Sequence, residues 1–193
     1  MYLKEVSQKS DLAAIERIYT ESFPDNERAP MKLLKKRAAA GKADFLAVCE
    51  GEQVVGMAYV VCLRDLAYLF YLAVDKQYRG KGYGTATIKA LLKKYSGKRF
   101  FLALEQLDRS AENYSQRLKR REFYKSCGLT DLPFRRKEGP VTLAAMGGIY
   151  DENTCRISGD MTVSAAEYRE LMTRYMGIIM RCIVDVRLLP DNI

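Results

Sequence analysis

The chain of 193 residues contains no histidine. That absence removes Ser-His-Asp and Cys-His nucleophilic systems and any metal site built on imidazole. Acid–base chemistry is left to Glu, Asp, Tyr, Lys, Cys or water. Cysteine is sparse and unpaired in spacing: Cys49, Cys62, Cys127, Cys155 and Cys182 are odd in number and form no CxxC. This argues against a disulfide framework or a thiolate zinc site, and no metal is expected. No segment approaches the ~20 apolar residues that span a bilayer. The N-terminal stretch MYLKEVSQKSDLAAIERIY meets acidic residues at once and lacks an apolar core, so no signal peptide is expected and the chain reads as cytoplasmic.

What is present is a basic, apolar-rich chain. The net charge is +8, and 48% of residues are hydrophobic and 29% charged, which excludes a disordered polyelectrolyte. The cations are scattered. Their densest clusters, LLKKRAAAGK and RLKRREFYK, are interleaved with apolar residues and read as solvated helix faces, so neither a nucleic-acid nor a membrane partner is indicated.

Periodicity predicts a mixed α/β order. A short strand over residues 2–6 precedes a helix capped near Ser10-Asp11, with Leu12, Ile15, Ile18 and Tyr19 on one face. FPDNERAP breaks it and MKLLKKRAAA resumes helix. DFLAVCE and QVVGMAYVVCL, joined at Gly51-Glu52, form a hairpin, and after Arg64-Asp65 AYLFYLAV reads as a strand buried on both faces. TATIKALLKKY is helical, RFFLALEQ a strand, and SAENYSQRLKRREFYKSCG a helix closed by Gly128. DLPFRRK and PVTLAAM form an antiparallel pair. A last helix, SAAEYRELMTRYMG, starts on a Ser164–Glu167 capping box, and the tail IIMRCIVDVRLLP fits helix or strand.

YRGKGYGTA, at the junction of the apolar strand and a helix, places three glycines in five residues between Arg79 and Thr85. Such a loop aims unpaired backbone amides at one point, where the helix dipole favours an anion and glycine admits close approach. A phosphate is the expected ligand. Walker A spacing fails, because Lys81 precedes Gly82 and Tyr83 follows it. GxGxxG fails too, because its third glycine falls on Thr85 or Thr87.

What remains is Arg79-x-x-Gly82-x-Gly84 after LFYLAV, and with FYKSCGL and the element order it resembles the GNAT superfamily of N-acetyltransferases. The resemblance spans residues 1–150 and is closest to bacterial single-domain members, with 151–193 a C-terminal helical extension. It implies a mixed α/β, α+β-like fold: a central twisted, mostly antiparallel sheet of about six to seven strands flanked by helices, with a C-terminal helix. It further implies acetyl-CoA as cosubstrate. Its pyrophosphate is expected on the backbone of Arg79, Gly80, Lys81, Gly82, Tyr83, Gly84 and Thr85, and its pantetheine along Leu72, Ala73 and Val74. The acceptor is expected to be a primary amine of a small molecule or peptide, attacking directly in a ternary complex.

By the same resemblance Tyr124 is the candidate acid for the departing thiolate. Glu105, ending its strand, is a candidate base or attractor of a cationic substrate. Members often carry Asn seven residues before the tyrosine, where this chain has Arg117; Asn113, eleven before, is the nearest candidate for a pantetheine contact. Glu27 and Arg28, in the loop between the first two helices, and Tyr68 are candidate acceptor contacts. The alternative is a non-catalytic acyl-CoA-binding or regulatory protein of the same fold. The identity of the amine and the oligomeric state, a homodimer included, stay open.

Overall fold

A computed structural model describes residues 1–6, 9–138, 141–177 and 186–189. Nine strands and five α-helices occur among them, and none of these helices is long and apolar enough to cross a membrane. The chain divides into two compact units, Met1–Cys62 with Leu69–Lys94, and Leu63–Tyr68 with Tyr95–Ile193.

In the first unit, β1 (Tyr2–Glu5), β2 (Asp44–Glu50), β3 (Gln53–Leu63) and most of β4 (Leu66–Val74) lie side by side in that order. β1 and β3 are both antiparallel to β2. β2 and β3 match the expected boundaries, because the two-residue turn that joins them holds Gly51 at φ 55°, open to glycine at no steric cost. α1 (Lys9–Ser22) buries Ile15, Ile18 and Tyr19, α2 (Met31–Ala39) buries Leu34, and α3 (Tyr83–Lys94) buries Ile88, Leu91 and Leu92. The buried residues of α1 and α3 lie on the helical-period faces read from the sequence. Gly56 of β3 permits a close crossing: a Cβ there would stand 2.6 Å from the Ala73 carbonyl oxygen, near the end of β4.

β4 belongs to both units. Its first residues, Leu66–Tyr68, fall in the second, with β5 (Arg99–Glu105), α4 (Tyr114–Ser126), β6 (Thr130–Glu138), β7 (Val141–Asp151), β8 (Arg156–Ser158), α5 (Ala165–Met176) and β9 (Val186–Leu189). β7 pairs antiparallel with β5, β6 and β8, and β9 adds antiparallel to β6. A bulge between Leu132 and Arg135 accommodates Pro133, which has no N–H to give a ladder. The segment after residue 150 therefore supplies β8 and β9 beside the α5 helix. Of the tail that fitted helix or strand, Val186–Leu189 is strand and the rest lies outside the described residues.

Arg99 ties the second unit together. Its guanidinium donates to Asp65 at 2.7 and 3.1 Å, to Glu167 at 2.6 Å and to the Thr162 carbonyl at 2.8 Å. Glu167 completes the capping box: its carboxylate accepts from the Ser164 amide while Ser164 Oγ accepts from the Glu167 amide. The Arg99 guanidinium, then the Ser164 donors, hold the Glu167 carboxyl down at about 2.

Candidate functional site

β4 runs out through Leu72, Ala73 and Val74 into Asp75, which is 3% exposed. Burial on its own raises the Asp75 carboxyl, but the Arg17 guanidinium and the Gln77 amide (3.0 Å) outweigh it and hold it below the usual range. Asp75 so caps a single 3-10 turn, Lys76–Tyr78, from which the loop leaves. The Arg79 side chain folds back, Nε donating to the Val74 carbonyl at 3.0 Å and Nη2 to Ser22 Oγ at 3.3 Å.

Gly80 and Gly82 stand at φ 74° and 83°, and a Cβ on either would meet no protein atom within 4 Å. The glycines there serve backbone conformation and leave open space beside the chain rather than close packing. α3 begins at Tyr83, two residues earlier than expected, so Tyr83, Gly84 and Thr85 form its first turn. Ala86 is the first residue whose amide is bonded, to the Gly82 carbonyl at 3.0 Å. The amides of residues 80–85 have no acceptor among the described residues. Those of residues 82–85 are the four orphan donors of the helix start, at the positive end of its dipole. Lys81 lies over the Tyr78 ring, 5.3 Å from its centroid, and Tyr78 packs edge-on against Tyr83. Amide donors at a helix start beside a lysine are the kind of group that suits a phosphate.

In the same unit Glu27 and Arg28 sit in the connection between α1 and α2. The Tyr71 hydroxyl donates to the Glu27 carbonyl (2.8 Å) and accepts from the Ala29 amide (3.1 Å), which pins that loop to β4. Arg28 pairs with Asp25 and donates to the Thr20 carbonyl at 3.2 Å. It lines an open cavity of about 490 Å³ with Glu16, Tyr19 and Asp25. The Glu27 carboxylate is exposed and has no ion-pair partner among the described residues.

In the second unit the candidates Glu105 and Asn113 come together. Glu105 ends β5 and accepts from Asn113 Nδ2 (3.2 Å), Arg117 Nη2 (3.0 Å) and Arg120 Nη1 (3.4 Å), so both carboxylate oxygens are occupied. Asn113 Oδ1 in turn accepts from Arg117 Nε at 2.6 Å, and Arg117 Nη1 reaches the Gln106 carbonyl at 2.9 Å. Asn113 is thus built into an ion-pair cluster, and Arg117, where the family often has Asn, is its centre.

Tyr124 follows on the same helix face. Residues 113, 117, 120 and 124 are spaced four, three and four apart and form one stripe. The helix ends just beyond in a Schellman motif: the Gly128 amide bonds the Lys125 carbonyl (2.8 Å), the Leu129 amide bonds the Tyr124 carbonyl (3.2 Å), and Gly128 takes φ 92°. Gly128, read from the sequence as the closing glycine, fixes the backbone of Tyr124 itself. The side chain is half-buried, packed on Phe123, and its hydroxyl has no hydrogen-bond partner among the described residues. Burial pushes the phenol up to about 12, against the opposing charge of Arg120.

Tyr68 is placed differently from its reading as an acceptor contact. It is 3% exposed, stacks on Phe101, and its hydroxyl accepts from Arg136 Nη2 at 2.9 Å. Arg136, itself 3% exposed, lies over the Tyr68 and Tyr168 rings. Tyr68 is a core residue because the cation beside it needs a buried acceptor and a π-face. The Asp75–Arg17 clamp and Arg120 escaped the sequence reading; the only sequence signals were an acid abutting the glycine loop and a cation one turn before Tyr124.

The model of the Acetyltransferase (GNAT) family matches residues 12–129. The chain belongs to this family of acetyltransferases. A protein of Bacteroides thetaiotaomicron assigned to the GNAT family aligns with a TM-score of 0.64 at 19% identity, over 91% of this chain and 95% of its own. The ribosomal-protein-S18-alanine N-acetyltransferase of Escherichia coli aligns at 0.57 and 19% identity, over 75% and 90%. An acetyltransferase of Bacillus subtilis in complex with CoA aligns at 0.54 and 10%, over 76% and 96%. At these identities the likeness is one of fold, and that fold is the GNAT fold. A comparison with curated proteins returned no match.

Proposed function

We propose that this protein transfers an acetyl group from acetyl-CoA to a primary amine of a small molecule or peptide, by direct attack in a ternary complex, with residues 1–150 as the acetyltransferase domain and 151–193 as an extension. The observation that bears most weight is the row of amides at residues 80–85 without acceptors among the described residues, with open space beside Gly80 and Gly82. These donors suit the pyrophosphate, and Leu72, Ala73 and Val74 suit the pantetheine arm. When bound, acetyl-CoA supplies an acyl group on a thiol leaving group.

The chain's own contributions are binding, polarisation and proton delivery. A main-chain donor near Val74 polarises the carbonyl. Tyr124 donates its proton to the departing sulfur; a thiolate of pKa ~8.5 gains from a neutral donor, and a phenol raised to about 12 stays protonated at neutral pH. Its hydroxyl is unengaged by any described residue, as an acid awaiting a substrate atom should be. Glu105 is better suited to hold Arg117 and Arg120 than to take a proton, since protonation would forfeit its contacts to both, and we assign the amine's deprotonation to water. Glu27 and Arg28 are the acceptor-side candidates, and Tyr68 supports the core.

The test is a thiol-release assay with acetyl-CoA across a panel of amines, run beside thermal unfolding with and without CoA. Release with at least one amine and a CoA-dependent rise in Tm is expected. A Tm rise without release from any amine would favour the non-catalytic acyl-CoA-binding reading, and neither effect would remove both.

A further inference from the structure

The two arginines that share Glu105 are not equivalent. Every nitrogen of the Arg117 guanidinium is engaged, by Asn113, Gln106 and Glu105. Arg117 therefore neutralises Glu105 on its own. Arg120 touches the same carboxylate only through Nη1, at 3.4 Å, and its side chain is 49% exposed. Its Nε and Nη2 have no partner among the described residues.

The acid within α4 and the one at the start of β6 are already paired. α4 holds five cations, and its one acid, Glu122, pairs with Lys125 at 3.8 Å. Asp131 pairs with Arg121 at 2.7 Å and Lys125 at 4.0 Å. Arg120 shares the Glu105 carboxylate with Arg117 and holds it by one nitrogen, one helical turn before Tyr124 on the same face. A guanidinium presents a planar fork of donors matched to carboxylate or phosphate oxygens.

We propose that Arg120 is an anion-docking residue, which takes a carboxylate or phosphate oxygen of a substrate beside Tyr124. The inference rests on the acetyltransferase reading and narrows it. A carboxylate belongs to an amine acceptor of the amino-acid class; a phosphate belongs to the cosubstrate. Polyamines, which bring only positive charge, are selected against at this position.

The experiment compares wild type, Arg120→Gln and Arg120→Lys by thiol release. One arm uses free amino acids against their amides; the other uses acetyl-CoA against its 3′-dephospho analogue. Arg120→Gln is expected to raise KM about ten-fold for the member of one pair that bears the tested anion, as for one lost charge-assisted contact, and to leave the counterpart lacking that anion unchanged in KM, with Arg120→Lys recovering part of the loss. An effect in the first arm places the anion on the acceptor, and one in the second places it on the cosubstrate. Unchanged KM values in both arms overturn the inference while leaving acetyl transfer intact. No release by wild type, with no CoA-dependent rise in Tm, overturns the parent reading and this inference together. Unfolding temperatures of both variants separate a lost contact from a lost fold.

Discussion

Arg17 of α1 pairs with Asp75, the residue that ends β4 and opens the glycine loop. Sequence distance separates them by 58 positions, and the pair makes the start of the loop a fixed point. Removing Arg17 leaves a carboxylate at 3% exposure with only the Gln77 amide. Arg17→Ala is expected to lower Tm by a few degrees and weaken CoA binding, and Arg17→Ala with Asp75→Asn to recover part of both, since an unpaired buried charge costs more than a buried neutral group. Thermal unfolding and CoA titration of the double-mutant cycle read this; additive losses would show that the pair is not coupled.

Gly82→Ala separates conformation from crowding. No atom stands within 4 Å of the added methyl, but φ 83° disfavours any Cβ, at about 1–2 kcal/mol. Unfolding should reveal that loss. The methyl would also enter the open space beside the chain, so CoA affinity is expected to fall further than the loss of stability alone requires. Equal affinity for CoA in a folded Gly82→Ala variant would move the pyrophosphate away from this loop.

Tyr124→Phe removes one oxygen from a half-buried position. The expected result is a fall in kcat of about 10²-fold with KM little changed, because a general acid acts only as the bond breaks. A group raised to about 12 keeps its proton through the whole range ordinarily assayed, so wild type should show no alkaline loss of kcat from Tyr124 below about pH 11. An alkaline limb near pH 10 that vanishes in the Phe variant would contradict the burial argument.

Glu167 sets an acid limit on stability. Its carboxyl falls from 4.5 to about 2 on folding, so the folded state favours the ionised form. The stabilisation is complete above the unfolded value and disappears as pH falls from about 4.5 to 2. Linkage caps it at ~3 kcal/mol, and screening of a side chain 33% exposed reduces it to about 1–2 kcal/mol. Glu167→Gln should flatten that part of the stability-against-pH curve; an unaltered curve would place the acid sensitivity elsewhere.

Strands β2 and β3 were legible residue for residue, because an apolar run, a glycine turn and a second apolar run leave little choice of register. The capping box and Gly128 were legible because they are local. Helix α4 was expected from Ser110 and starts at Tyr114. Asp108 Oδ1 takes the Ser110 amide and hydroxyl (2.9 and 2.6 Å), a side-chain turn that competes with helix. β8 has three residues, too few to show a period, and exists by pairing with β7. The glycine loop was readable because its chemistry is written in backbone freedom. The partners of Glu105 were not, since nothing in a linear pattern tells which helix face a strand-end carboxylate meets, and Tyr68 in an apolar strand gives no sign of the buried cation beside it.

The division of β4 has a consequence for synthesis on the ribosome. The first unit is complete in sequence at Lys94, but its two stretches are separated in the chain by Leu63–Tyr68, whose companions from Tyr95 onward have yet to emerge. At that point the glycine loop has been made while Tyr68 still lacks Phe101, Arg136 and Tyr168. Cutting the gene at that boundary would leave each half short of a piece: one with six orphaned residues, the other without the strand opening its tyrosine belongs to.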